Sequence, residues 1–237
     1  MNKVKLHTLW LLGMLFLMTA CGDDDDYYYP SVKLEFVTVK AGADGLIQSL
    51  LPDKGELLTV AKDRTGSTIS PNSARRVISN YEVNSEDATA VIYSLQSVVT
   101  PEPKEADDPA FEGGLKYDPV DVTSIWLGRD YLNMILNVKI NINSGKQHVF
   151  GMIEESVESE GDETVVTLSL FHDANGDEEN YNRRAYISVP LTKYVDEENP
   201  HQTIRIKFKY HTTDKNGVVV ESSKYCDPGF EYVPDGN

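Results

Sequence analysis

The chain has 237 residues, 38 acidic and 22 basic side chains, a formal charge of −16, 40% apolar residues and 13 tyrosines. So large an acidic excess repels phosphate backbones and anionic lipid surfaces, which argues against nucleic-acid partners and against electrostatic docking to a bilayer. The apolar and tyrosine content is too high for a disordered polymer and calls for buried cores.

Lys3 and Lys5 precede an apolar run from Leu9 to Met18, followed by Thr19-Ala20-Cys21. A basic start, a short apolar core and small residues before a cut site mark a secretory signal. The run falls short of the roughly 20 residues that a spanning helix needs. Met18-Thr19-Ala20-Cys21 resembles a lipobox, in which Cys takes a lipid and the leader is cut before it. Met18 stands there in place of the commoner Leu, and Thr19 in place of Ala or Ser. Residues 1–20 are therefore the expected signal peptide and Cys21 the expected lipid-attachment residue. Several acyl chains, at ~0.8 kcal/mol per buried CH₂, would hold the mature chain to a membrane. Without the leader the chain carries 20 basic and 38 acidic side chains, a charge of −18.

Residues 21–33 read as an acidic tether, opened by Gly22-Asp23-Asp24-Asp25-Asp26, since like charges keep a chain extended. Directly behind a lipidated Cys, that run resembles the export signal of Bacteroidota lipoproteins bound for the outer face of the outer membrane. The outer membrane, facing the cell exterior, is the expected address. Tyr27-Tyr28-Tyr29-Pro30 fits either the headgroup zone or a contact with the first domain. With Cys21 lipidated, Cys226 has no intrachain partner, so no disulfide framework is expected.

From Ser31 onward the apolar period is mostly two. Leu34, Phe36 and Thr38 open a first strand, and strands over 46–51, 57–61, 77–83 and 90–99 follow, with turn signals at Asp44-Gly45 and Lys54-Gly55. Five short strands in about 70 residues predict a small barrel over 34–100. Residues 101–116, with Pro101, Pro103, Pro109 and Gly113-Gly114, lack periodicity and read as a linker or long exposed loop. Residues 117–237 then alternate sharply, as in Leu132, Met134, Leu136, Val138 and Ile140. Strands near 120–128, 131–142, 147–157, 163–171, 185–191, 202–212 and 218–225 predict an antiparallel sandwich. Asn216-Gly217 marks a hairpin turn between the last two.

The whole chain resembles the NigD-like lipoproteins of Bacteroidota. The likeness rests on the lipobox and acid run, on Leu34-Glu35-Phe36-Val37-Thr38-Val39-Lys40-Ala41-Gly42, and on Leu170-Phe171-His172-Asp173-Ala174-Asn175-Gly176-Asp177. It implies an all-β chain in which an OB-like barrel is followed by a β-sandwich, and it implies no reaction and no ligand. OB-like barrels often bind nucleic acid or sugar, which is analogy of fold alone. Residues 31–114 hold 8 basic and 13 acidic side chains, which weighs against nucleic acid.

Asp173, Asn175 and Asp177 alternate oxygen-bearing side chains as a Ca²⁺ loop does, yet Glu178 and Arg184 stand where an EF-hand needs Gly and a bidentate Glu. A polar hairpin connection is the preferred reading. His148, His172, His201 and His211 show no metal-ligand spacing and read as surface residues of strands and loops. Cys226 has no positive neighbour to lower its pKa and reads as an idle thiol. Arg205, Lys207 and Lys209 form a basic stripe, read as the solvent face of a strand with lysine guarding an edge. No catalytic residue, cofactor or metal site is expected. The expected function is a non-catalytic binding or interaction module, tied to the membrane by its lipid and meeting an unknown protein or glycan partner. An accessory subunit on the periplasmic side is the alternative, and a glycan- or peptide-acting enzyme ranks last.

Overall fold

The computed structural model describes residues 31–160, 163–177, 181–196, 198–199 and 202–234. Cys21, the acid run, Tyr27-Tyr28-Tyr29 and His201 lie outside the described residues. Strands β1 (Val32–Ala41), β2 (Ile47–Pro52), β3 (Leu58–Asp63), β4 (Ala74–Asn84) and β5 (Thr89–Ser97) close into a barrel in the order β1-β2-β3-β5-β4. Closure comes from the parallel β3–β5 pair and from β1 against β4, where Val37 faces Val77. Val37, Val39, Leu50, Tyr81 and Ile92 fill the interior. Gly45 supplies the positive φ of +80° that the β1–β2 turn needs, and a Cβ there would meet the Ile69 carbonyl oxygen at 2.8 Å.

The remaining strands are β6 (Pro103–Glu105), β7 (Asp121–Gly128), β8 (Tyr131–Ile140), β9 (Val149–Glu160), β10 (Glu163–Asp173), β11 (Tyr181–Pro190), β12 (Thr203–Thr213) and β13 (Val219–Tyr232). They form a five-stranded sheet, β13-β12-β10-β9-β6, packed on a three-stranded sheet, β11-β8-β7. One core lies between them, built from Leu132, Met134 and Leu136 on one side and Leu168, Ile206 and Phe208 on the other.

Two expectations change here. The stretch 101–116 is not a bare linker. Pro103–Glu105 pairs in parallel with β9, and buried Phe111 packs on Ile153 and Phe171. Proline lacks an N–H but is tolerated at the first residue of an edge strand, so the prolines that break the alternation do not bar pairing. The sandwich is also not wholly antiparallel, because β10 and β12 run parallel with Val166 facing Ile206. The chain leaves β10 for β11 in the opposite sheet and returns as β12, so the two neighbours point the same way. For the same reason Asp173–Asp177 is no hairpin: β10 and β11 do not pair, and the turn carries the chain from one sheet to the other. The β12–β13 connection is a hairpin, with Gly217 at φ +80° and the Asp214 carboxylate accepting the Asn216 and Val218 N–H groups.

β8 is covered on both faces. Leu132, Met134 and Leu136 point into the sandwich, while Asn133 and Ile135 point toward the barrel, where Ile135 joins Phe36, Ile78 and Val98. Leu168, fully buried in the central strand β10, tests this packing. Leu168→Ala is expected to lower stability by about 2–5 kcal/mol, read from urea unfolding midpoints. Val149→Ala, at a site half exposed, should stay within about 0.5 kcal/mol.

Candidate functional site

The barrel meets the outer face of the three-stranded sheet through one buried polar network. Arg76, near the start of β4, is only 4% exposed. Its guanidinium donates to the Asp53 carboxylate, to Asn133 Oδ1 at 3.1 Å and to Ser188 Oγ at 3.0 Å. Ser188 Oγ donates in turn to Asn133 Oδ1 at 2.6 Å, and Asn133 Nδ2 donates to Asp53 Oδ2 at 2.8 Å. Barrel and sandwich thus share one closed circuit of donors and acceptors. The guanidinium also stacks 4.3 Å from the Tyr131 ring centroid. Gly128 makes room for the circuit, since a Cβ there would lie 2.1 Å from Asp53 Oδ2 and 2.5 Å from Asn133 Nδ2. One residue on, Arg129 at φ +49° donates to the backbone carbonyls of Pro52 and Gly55, fastening the β7–β8 turn to the β2–β3 loop.

Beside the network opens a cleft of about 360 Å³ between the two domains. Its floor is aromatic: Phe36 meets Trp126 edge-on at 5.3 Å and 84°, and Tyr186 at 6.2 Å and 68°. Leu34, 70% exposed, stands at the rim with Lys54 and Arg184. Glu35, also at the rim, accepts the Tyr81 hydroxyl at 2.9 Å, and burial first and then that bond push the phenol well above its usual pKa. An apolar concavity with a few converging polar groups is the ordinary form of a binding site.

The histidines depart from the sequence reading. His148 and His172 are buried together, Nδ1 of the first 2.9 Å from Nε2 of the second. His172 Nδ1 lies 2.9 Å from the Asp118 carbonyl oxygen, which only accepts, so that nitrogen carries the proton and Nε2 accepts from His148. Burial, ahead of the other causes, pushes the His172 pKa below its ordinary value. A readable signal existed: Leu168, Leu170 and His172 share one parity on β10, so His172 continues a buried row. His211 stacks on Tyr117 at 4.5 Å.

The other candidates stay apart from the cleft. Asp173 Oδ1 accepts the Asn175 N–H at 2.7 Å, and Asp177 Oδ2 accepts the Asn141 N–H at 2.9 Å and lies 3.4 Å from His148 Nε2. No group of three or more His, Cys, Asp or Glu side chains gathers as a metal site among the described residues. Cys226 Sγ sits 3.5 Å from the Phe208 carbonyl oxygen, and burial pushes its thiol up. The basic stripe lies on an interior strand, between β10 and β13, and guards no edge. Arg205 pairs with Glu163 at 2.7 Å and Lys209 with Glu155 at 2.7 Å, so carboxylates of neighbouring strands neutralise two of its three cations. Neither Arg76 nor Asp53 was singled out from the sequence, because their partners lie far away along the chain.

The comparisons with known proteins follow this division. Residues 36–98 match the NigD-like N-terminal OB domain, and residues 103–222 the NigD-like C-terminal beta sandwich domain. A NigD-like immunity protein from Bacteroides caccae is 70% identical, covering 88% of this chain and 100% of its own, with a TM-score of 0.79. A protein of unknown function from Bacteroides vulgatus shares the fold at 18% identity, covering 87% of this chain and 93% of its own, with a TM-score of 0.60. No curated protein matches the chain. The chain belongs to the NigD-like family.

Two outcomes are expected. Asp53→Ala leaves a buried guanidinium without its carboxylate and should cost roughly 3–5 kcal/mol, with Gly128→Ala destabilising through the same circuit, both read by denaturant unfolding. A His whose folded pKa is depressed is held neutral in the fold while the unfolded chain takes a proton near pH ~6.5. Stability should therefore fall as pH drops from 7 toward 5, by up to about 1.4 kcal/mol per pH unit for one proton. His172→Gln should flatten that slope in unfolding midpoints taken across the range.

Proposed function

We propose, from membership of the NigD-like family, that the mature chain is a non-catalytic immunity protein which protects its cell by binding a partner. The observation that carries this reading is the 70% identity, over 88% of the chain, to the immunity protein of Bacteroides caccae. The shape of the junction supports it. A fastened pair of domains with an aromatic cleft between them offers a preorganised contact surface, which limits the ordering cost of association. The acid and base nearest the cleft floor, Asp53 and Arg76, are tied to each other and to Asn133. They serve as structure there.

The same reading puts lipid on Cys21 and the protein body on the exterior of the outer membrane. The leader, the lipobox and the acid run behind it support that address.

Deleting the gene should sensitise cells to culture fluid from neighbouring isolates, with growth restored by the wild-type chain. Equal growth of deleted and complemented strains in every fluid would refute the immunity reading. Cys21→Ser should move the protein from membrane to soluble fractions. Protease added to intact cells should digest the wild type, whereas protection would place it on the periplasmic side.

A further inference from the structure

The cleft does not end at Tyr186. A second cavity, of about 520 Å³, shares Gln96, Arg184 and Tyr186 with the first and continues past Arg183 and Lys146. Together they follow the outer edge of β11, one of the two border strands of the three-stranded sheet.

Only part of that edge is covered. The Val99 N–H donates to the Tyr186 carbonyl and the Ser188 N–H donates to the Val99 carbonyl, so the barrel's trailing segment seals the far end in parallel. Outward-facing backbone groups recur every second residue in an antiparallel strand. Tyr186 and Ser188 face outward, so Arg184 and Asn182 do as well. Their N–H and C=O groups on that side have no backbone partner among the described residues. This is an open stretch of ladder in line with a strand that has already begun.

The charge along it runs opposite to the molecule's. Lys54, Arg183 and Arg184 are exposed and make no ion pair among the described residues, and Lys146 gives its ammonium to the Gly176 carbonyl oxygen. Of the neighbouring carboxylates, Asp53 is neutralised by Arg76, while Glu35 accepts from the Tyr81 hydroxyl and Asp177 accepts from the Asn141 N–H and faces His148 Nε2 at 3.4 Å. In a chain with 38 acidic and 22 basic side chains, the two cavities set four exposed cations, Lys54, Lys146, Arg183 and Arg184, against the charges of Glu35 and Asp177 among the described residues, beside an apolar hole.

We propose that the open edge of β11 from Asn182 to Tyr186 docks an extended acidic segment of a partner protein, adding a strand whose aromatic or large aliphatic side chain enters the Phe36–Trp126–Tyr186 cleft. Main-chain hydrogen bonds to Asn182 and Arg184 hold the segment, while the alternate side chains and the cations select it. This rests on the binding role proposed above and names the partner's chemistry.

The probes are fluorescein-labelled dodecapeptides carrying one central Phe among Glu and Asp, among Gln and Asn, or among Lys, measured by anisotropy against the full mature chain. The acidic peptide should bind, the other two should not, and added salt should weaken the complex. R183E/R184E should weaken it at least tenfold without moving the thermal midpoint. Arg183→Gln with Arg184→Gln should fall between, and Asn182→Pro, which removes one outward donor, should weaken binding without changing charge. Equal binding of all three peptides, no binding of the acidic one, or indifference to R183E/R184E would overturn the site. So would binding of polygalacturonate with no peptide bound. In cells the two ideas separate. If R183E/R184E still protects, the immunity reading survives and the groove falls. If the wild type fails to protect, the immunity reading falls and the peptide titrations decide the groove.

Discussion

A guanidinium withdrawn from water sets the relation between the two halves of this protein. Arg76 comes from the barrel and is satisfied by one barrel carboxylate and by two side chains of the sandwich, Asn133 and Ser188. A buried charge of this kind contributes little net stability over an apolar replacement, but it is severe about geometry. Shift one partner out of hydrogen-bonding range and a donor or an acceptor is left bare at about 1–3 kcal/mol. The apolar contacts of Phe36, Ile78 and Val98 against Trp126, Ile135 and Tyr186 supply attraction across the junction without fixing an angle. The polar circuit fixes it.

That division of labour shapes the surface. Because the three-stranded sheet is wedged between the large sheet and the barrel, β8 has almost no solvent face, and the layer meets solvent through its border strands, most of all through the first half of β11. The aromatic rings that cement the junction run out toward solvent where the barrel curves away, and their last members form the cleft wall. Structural packing and recognition surface are here one set of side chains seen from two sides. A partner bound in the cleft would press on the joint itself.

Much of this was legible in the sequence. The five barrel strands and seven of the sandwich strands follow from period-two patterning, because one buried face leaves its mark every second residue. β6 was not legible, since three residues beginning with Pro103 carry no period. The parallel β10–β12 pair was hidden as well, because pairing direction is set by which sheet the intervening strand joins. The burial of Asn133 was not legible either. In the alternation of β8 it reads as a solvent-facing position, yet it is fully buried against Arg76. A polar residue facing a second layer looks the same as one facing water until its partner is known. His172 was misread as surface for a related reason: residue type outweighed the parity that placed it beside Leu168 and Leu170.

The excursion of the chain from β10 into the opposite sheet and back has a kinetic side. β12 pairs with β10 across an intervening strand that belongs to the other layer, so the β10–β12 pair closes a long loop of chain. Contacts of such long sequence separation slow folding, typically into the range of milliseconds to seconds. Until β12 arrives, β10 shows an unpaired border rich in Val and Leu, a surface prone to sticking to other chains. A chain cut short before β12 would leave β10 with an adhesive edge in place of a completed sheet.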